Sequence, residues 1–514
     1  MKNTPSFVAL LLLSLTALPV AAVQQPAGTP WVTVGAGGQL HYQTTTRGDR
    51  IVDFSHAGYG GGGVKLPVVP ARREVAPSGG DDSAAIQAAL DAVAALPLTD
   101  GFRGTVLLRP GTFHCARPLT LSQDGVVLRG SGAGQGGTVI EMTGEPHVCV
   151  VIAGERLRFP KETPASCFPI TDAYVPSGVL SFSVQGARGL TAGDAILIRR
   201  LATEQWIHVM GMDALVRNGK PQTWMKTDAP ITCERTLRSV QGNRLTLDVP
   251  LTDALDARLL APGCAMVLKT TLPKRLVQCG LESLRITSPP PKGTLTARNN
   301  DAAVLDHCED CWIRDVAMHD TLGNVKVEAG ARRITLEDIH AVHAASVEKG
   351  AGYPADFLLV GSQVLINRCT STGDGSFYVA TLNSSAKLNV ALHCKFQGKG
   401  GIQPHMRWST ALLIDSCQLP DGRIEFINRR TSGSGHGWAM GWAVAWNCTA
   451  KTLTMEQPPG AINWCIGCTG AFGKDSAGKG SWLEAHGAPV LPPSLYLAQL
   501  RERLGAGALK NIGH

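Results

Sequence analysis

Charged residues make up only 17% of this 514-residue chain and aromatic residues 5%, and neither the basic nor the acidic ones gather in runs. Nucleic-acid binders concentrate Lys and Arg along one face or stretch, so a net charge of +7 from 48 basic and 41 acidic residues does not point to DNA or RNA. It suits an anionic glycan partner, or solubility alone. No segment supplies the ~20 consecutive apolar residues of a membrane-spanning helix, so no membrane partner is expected. No Asp-rich loop has calcium spacing. Nothing completes a zinc ligand set around Cys308-x-x-Cys311 or Cys465-x-x-Cys468. No cofactor or metal site is therefore expected, with a divalent cation such as calcium left open as an addition.

The chain is rich in turn formers, with 58 Gly and 31 Pro, which suits many short strands better than helical layers. Its first 22 residues read as a secretory signal: Lys2, an apolar stretch from Val8 to Leu18, and the small-residue site Val20-Ala21-Ala22. Export to a periplasmic or extracellular setting follows. Fourteen cysteines would then suggest disulfides, but their spacing argues for a different use.

A repeat aligns on one column: Ile286, Val316, Ile339, Cys369, Cys394, Cys417, Cys448 and Cys468, in steps of 30, 23, 30, 25, 23, 31 and 20 residues. The phrases Asn-Arg-Cys369, Leu-His-Cys394, Asp-Ser-Cys417 and Trp-Asn-Cys448 recur at it. Coils of this length predict a solenoid. Like residues then stack inside it about 4.8 Å apart, so the cysteines form an unpaired internal ladder of small hydrophobes rather than bridges.

Ahead of the repeat, Gly79-Gly80-Asp81-Asp82 leads into a helix carrying Ile86, Leu90 and Val93, with Asp82 or Ser83 as its cap. Three short strands follow between 104 and 130. This opening resembles that of the pectate-lyase superfamily, in which a helix plugs the first coil. The resemblance implies an all-β, right-handed parallel β-helix with an N-terminal capping helix. The expected divisions are 1–22 signal peptide, 23–147 extension, capping helix and first coils, 148–270 a small inserted β-rich domain, 271–470 the main β-helix with a groove, and 471–514 a C-terminal extension. The last holds an amphipathic helix over 494–504, stopped by Gly505, that would cover the final coil.

Counting back 12 residues from Cys417 and Cys448 reaches His405 and His436, which should be neighbours on consecutive coils. Gln403-Pro-His-Met-Arg-Trp408, Asn428-Arg-Arg430 and Gly433-Ser-Gly-His-Gly-Trp438 surround them with basic, amide and aromatic groups. Glycines beside His436 allow close backbone approach. β-Elimination of a uronate needs a cation on the carboxylate, a base for the C5 proton and an acid for the leaving oxygen. We assign His405 as base, Arg407 as bidentate carboxylate clamp and His436 as acid or second donor. Asn428, Arg429 and Arg430 would position substrate, and Trp408, Trp438 and Trp464 would stack on sugar rings beside Asn463. Lys399, Tyr378 and Asn383 on the preceding coil are reserves.

A glycoside hydrolase would instead use two carboxylates, from Asp374, Asp415 and Glu425. Asp415 lies two residues before the column, so alternation turns it inward. A noncatalytic glycan-binding β-helix, relying on the tryptophans, is the third reading. Another polar group, Asp306, His307, His319, Asp320, His340 and His343, reads as turn residues.

Pro404-His-Met-Arg-Trp408, Gly433-Ser-Gly-His-Gly-Trp438 and Pro458-Pro-Gly-Ala-Ile-Asn-Trp464 are similar to phrases of large secreted bacterial β-helix proteins of the pectin-lyase-like superfamily. That likeness runs from about residue 79 to 470 and implies polysaccharide lyase or glycosidase activity on an anionic polysaccharide. The chain departs from true pectate lyases in lacking their Asp-rich calcium site.

Overall fold

The computed structural model describes residues 30–288, 294–295, 301–347, 355–374, 377–473 and 482–514. The expected signal segment, 1–22, lies outside them. Twenty-nine strands join one hydrogen-bonded sheet. Along one wall, Ala71–Val75, Gly104–Leu108, Val126–Arg129, Gly280–Thr287, Trp312–His319, Arg332–Val342, Ser362–Asn367, Lys387–Leu392, Ser409–Asp415, Val444–Trp446 and Trp464–Ile466 pair in succession, every pair parallel. The chain is a parallel β-helix, right-handed as crossovers between parallel strands are.

The coils turn at two columns of left-handed residues. One holds Asp315, Asp338, Arg368, His393, Ser416 and Asn447, each immediately before a column residue; the other holds Arg333, Gln363, Leu388, Ala411 and Trp442. A left-handed non-glycine residue costs about 1–2 kcal/mol, and the stacked core behind each corner has to outweigh it. These corners also correct two expectations. Leu284, not Ile286, stands beside Val316, because the corner at Ser283 sets the register; Ile286 pairs with Met318. Asp415 does not face the coil interior, because the corner at Ser416 breaks the alternation. Its carboxylate turns outward and accepts from Ser494 Oγ and Tyr496 N, both at 2.7 Å.

From Val316 on, the column holds. Val316 pairs with Ile339, the flanking pairs put Ile339 beside Cys369, and the same registers carry it through Cys394, Cys417, Cys448 and Cys468. All fourteen cysteines are free. The helix Ser83–Ala94 buries Ile86, Leu90 and Val93 against the first coils. Asp82 occupies its N-cap without a side-chain capping bond; its carboxylate instead accepts from Ser78 N and His114 N, tying the turn to a coil.

Val148–Ala153, expected in the insertion, belongs to the solenoid and pairs with Leu119–Leu121 and Asp301–Asp306. Beyond it, six strands between Cys167 and Lys269 form an antiparallel sheet with its own core. This insertion leans on the solenoid through Asp253, whose carboxylate accepts from Trp408 Nε1, Trp442 Nε1 and Arg200.

The C-terminal helix Leu495–Leu504, capped by Ser494 Oγ and closed at Gly505, does not sit over the last coil. It runs back along the side of the solenoid: Pro492 O accepts from Trp446 Nε1, Tyr496 meets Asp415, and Ile512 O accepts from Asn367. The N-terminal arm lies beside it, from Trp31 against Trp464 to Tyr59 against Trp312. The reason is apolar demand: Leu365, Val390, Leu413, Val444, Trp446 and Trp464 project outward from that wall, and the two termini bury them.

Candidate functional site

The polar site is built where one coil is interrupted by a hairpin. After Gln418–Phe426 the chain leaves the coil, pairs Asn428 with Trp438, and closes with Arg429 N donating to Gly437 O at 2.8 Å. Two glycines make this possible. A Cβ on Gly437 would fall on the Trp224 indole and Met212, and one on Gly433 on the His436 ring; both have φ 57°. The insertion clamps the hairpin, with Arg217 and Gln222 donating to Gly433 O at 2.8 and 2.9 Å, and Trp224 Nε1 to Trp438 O at 3.1 Å.

His405 and His436 are brought together, their ring centroids 4.6 Å apart at 50°. Arg429 Nη1 reaches Nδ1 of His405 at 2.7 Å and its carbonyl at 3.2 Å. Phe377, on the preceding coil, sets its ring edge-on to His405 at 5.7 Å and lies under the Arg429 guanidinium. Arg407 Nη2 donates to Ser434 Oγ at 2.8 Å, and its Nε is buried without a partner among the described residues. Arg407 and Trp408 are both left-handed, φ 61° and 64°; two such residues in succession mark the strained backbone that functional sites tend to hold.

Burial, then Arg429 and His436, push His405 down to about 3. Burial, then Arg429, Arg407 and Arg217, push His436 down to about 4. Both imidazoles are neutral at neutral pH, inside a ring of three guanidiniums. A guanidinium can only donate, so Nδ1 of His405 accepts and its proton sits on Nε2. His405 is a fixed donor, while His436, whose Nδ1 is buried without a partner among the described residues, is not fixed in this way.

The remaining expected residues divide. Arg430 is exposed and pairs with Glu456 at 3.2 Å; Asn428 Oδ1 accepts from Arg430 N and holds the hairpin turn. Lys399 is exposed, 3.9 Å from Asp374. Asn383 is left-handed and exposed, one coil before Arg407. Trp408, Trp438 and Trp464 are all buried, at 9% exposed or less, so they have no face to offer a sugar. They fill the seams under the insertion and the N-terminal arm: Trp438 Nε1 donates to Met210 O, and Trp464 packs on Trp31. Tyr378 stacks inside the coil on Phe396, its hydroxyl donating to Gly373 O and accepting from Gly400 N. Asn463 is buried and bonds Ala443 N, Met440 O and Glu456 O. Both are structural.

Of the carboxylates, Glu425 accepts from Gln403 and Arg423, and Glu456 from Asn428 N and Arg430. Sequence reasoning missed Arg217, Gln222 and Phe377; the first two come from the insertion, outside the repeat that located the histidines. It also read His343 as a turn residue, whereas the ring is buried in a polar cluster two coils earlier. There His343 Nε2 meets Asp356 at 2.5 Å, Asp356 accepts from Asn324 and Ser371, and the carboxylate keeps the imidazole above its ordinary range despite burial.

No family model matches the chain, and no curated protein matches it. Among solved structures it is similar to the tailspike protein gp49 from Pseudomonas phage LKA1, with 12% identity over 80% of this chain and 74% of that one at a TM-score of 0.39. It is similar to a tailspike of Acinetobacter baumannii bacteriophage AP22 in complex with capsular saccharide, with 10% identity over 80% and 71% at 0.27. The A-module of a mannuronan C-5 epimerase from Azotobacter vinelandii gives 11% over 86% and 100% at 0.28.

Proposed function

We propose that the protein is an exported polysaccharide lyase that cleaves a uronic-acid-containing glycan by β-elimination. The observation that carries this reading is the pair of neutral imidazoles enclosed by Arg217, Arg407 and Arg429. Such a site attracts a carboxylate and, once it is neutralised, acidifies the C5 proton beside it. Arg407 and Arg429 hold the carboxylate. His436 takes the C5 proton as the C4=C5 bond forms and the C4–O bond breaks, then returns that proton to the departing oxygen. His405 donates its Nε2–H to the charge that develops. An incoming carboxylate also cancels the positive field that, after burial, holds His436 down, so the base strengthens when substrate binds.

Of the carboxylates that a hydrolase would use, Glu425 is tied to Gln403 and Arg423, Asp415 is buried against Ser494 and Tyr496, and Asp374 accepts from Lys399 N. The tryptophans on which a passive glycan binder would depend are buried. The test is incubation with a panel of uronate polymers. Unsaturated ends absorb in the near ultraviolet and support elimination; new reducing ends without that absorbance would sink it in favour of hydrolysis.

A further inference from the structure

Away from the histidines, a cavity of about 200 Å³ lies in the seam between the insertion and the solenoid. Four cationic side chains line it, Arg235, Arg275, Arg332 and Lys387, against one carboxylate, Glu234. Glu234 is already spent on Arg275 at 2.6 Å and Arg332 at 3.0 Å. Arg332 takes a second carboxylate, Glu309, outside the cavity. Arg235 gives its guanidinium to the carbonyls of Val249, Glu234 and Pro250. Asp253, which also faces Lys387, is committed to Arg200, Trp408 and Trp442.

Lys387 is left over. It opens the strand Lys387–Leu392, between Ser362 and Thr410 on the neighbouring coils. It is 6% exposed, and its Nζ is buried with no hydrogen-bond partner among the described residues. An ammonium so placed is costly unless a counter-charge meets it. Loss of its proton is not the escape at neutral pH: burial lowers the amine to about 8, which leaves most of it charged at pH 7. The rest of the wall, including Ser362, Gln363 and Ser385, supplies hydroxyl and amide donors.

We infer that this cavity binds a small oxyanion, either an inorganic one or the carboxylate of a uronic acid, with Lys387 as its charged anchor. The site is separate from the imidazole pair, and its occupancy does not depend on the lyase reading. Calorimetric titration of the whole protein at pH 7 and constant ionic strength tests it, with sodium sulfate in one arm and glucuronic acid in the other. We expect saturable binding in at least one arm, weakened about tenfold or more by Lys387→Met, as loss of a charge-assisted bond implies. Both arms are run in an Arg407→Ala background, which removes the carboxylate clamp proposed beside the imidazole pair. Saturation with sulfate identifies an inorganic ligand, and saturation with glucuronate alone a sugar acid. No saturable binding in either arm, or binding equally strong in Lys387→Met, overturns the inference. Should Lys387→Met fail to fold, wild-type crystals soaked in selenate or in glucuronate decide it: an anomalous selenate peak or a sugar carboxylate within hydrogen-bonding distance of Nζ is expected, and the absence of both overturns it.

Discussion

Arg429 Nη1 stands 2.7 Å from Nδ1 of His405, and that contact sets which nitrogen of the ring carries the proton. With the guanidinium donating, the imidazole is neutral with its proton on Nε2, a donor aimed away from Arg429. Arg429→Ala removes both the donor and one of the charges that depress the ring. We expect the His405 pKa, read by NMR titration, to rise from about 3 toward its ordinary value. Turnover of a uronate polymer should fall about 10²-fold or more. An unchanged titration would refute the tautomer assignment.

The buried histidines make the fold acid-labile. His405 and His436 are held at about 3 and 4, and His514 at about 4. Between those values and the ordinary 6.5 the unfolded chain binds more protons, so stability falls as pH drops through that window. Asp415 opposes this: burial raises its carboxyl to about 6, so the folded state gains protons there first. Urea midpoints at pH 7 and pH 4.5 should show a net loss at the lower pH, and His405→Gln should reduce it. A midpoint that rises on acidification contradicts the histidine account.

Gly437→Ala would drive a methyl into Trp224 at a left-handed position. A loss on the order of 1–3 kcal/mol is expected, with activity falling further than stability because the hairpin carries His436. Circular dichroism and product formation, measured together, separate the two effects.

The tryptophans should behave as core. Trp408→Ala is expected to cost about 3–5 kcal/mol, whereas Arg217→Ala should leave the melting temperature nearly unchanged and weaken substrate binding. The reverse pattern would return the indoles to the sugar.

Every thiol is free, so reducing agent should not move the melting temperature. In the native protein, Cys167, Cys233 and Cys264, the half-buried three, should react with a thiol reagent while the ladder from Cys369 to Cys468 stays silent. Burial pushes the Cys394, Cys417 and Cys448 thiols well up, away from the reactive thiolate.

What the sequence made legible was whatever repeats. Stacked coils demand equivalent residues at equivalent places, so Cys369 to Cys468 marked the core and the same arithmetic put His405 beside His436. What it hid was whatever comes from outside the repeat. The exposed or buried fate of Trp408 and Trp464 depends on the insertion and the N-terminal arm, which share no period with the coils. Asp415 and Ile286 were misplaced because simple alternation fails at a left-handed corner occupied by an ordinary Ser. The hydrogen bond that fixes the His405 ring was hidden because Arg429 returns to His405 through a hairpin that the repeat does not encode.

The most direct test compares wild type with His436→Ala on the uronate polymer that wild type cleaves best, following the ultraviolet absorbance of unsaturated ends. The account predicts steady formation by the wild type and a rate lower by about 10²-fold or more in a folded His436→Ala. Equal rates in the two proteins, or no unsaturated product from any uronate polymer, would contradict it.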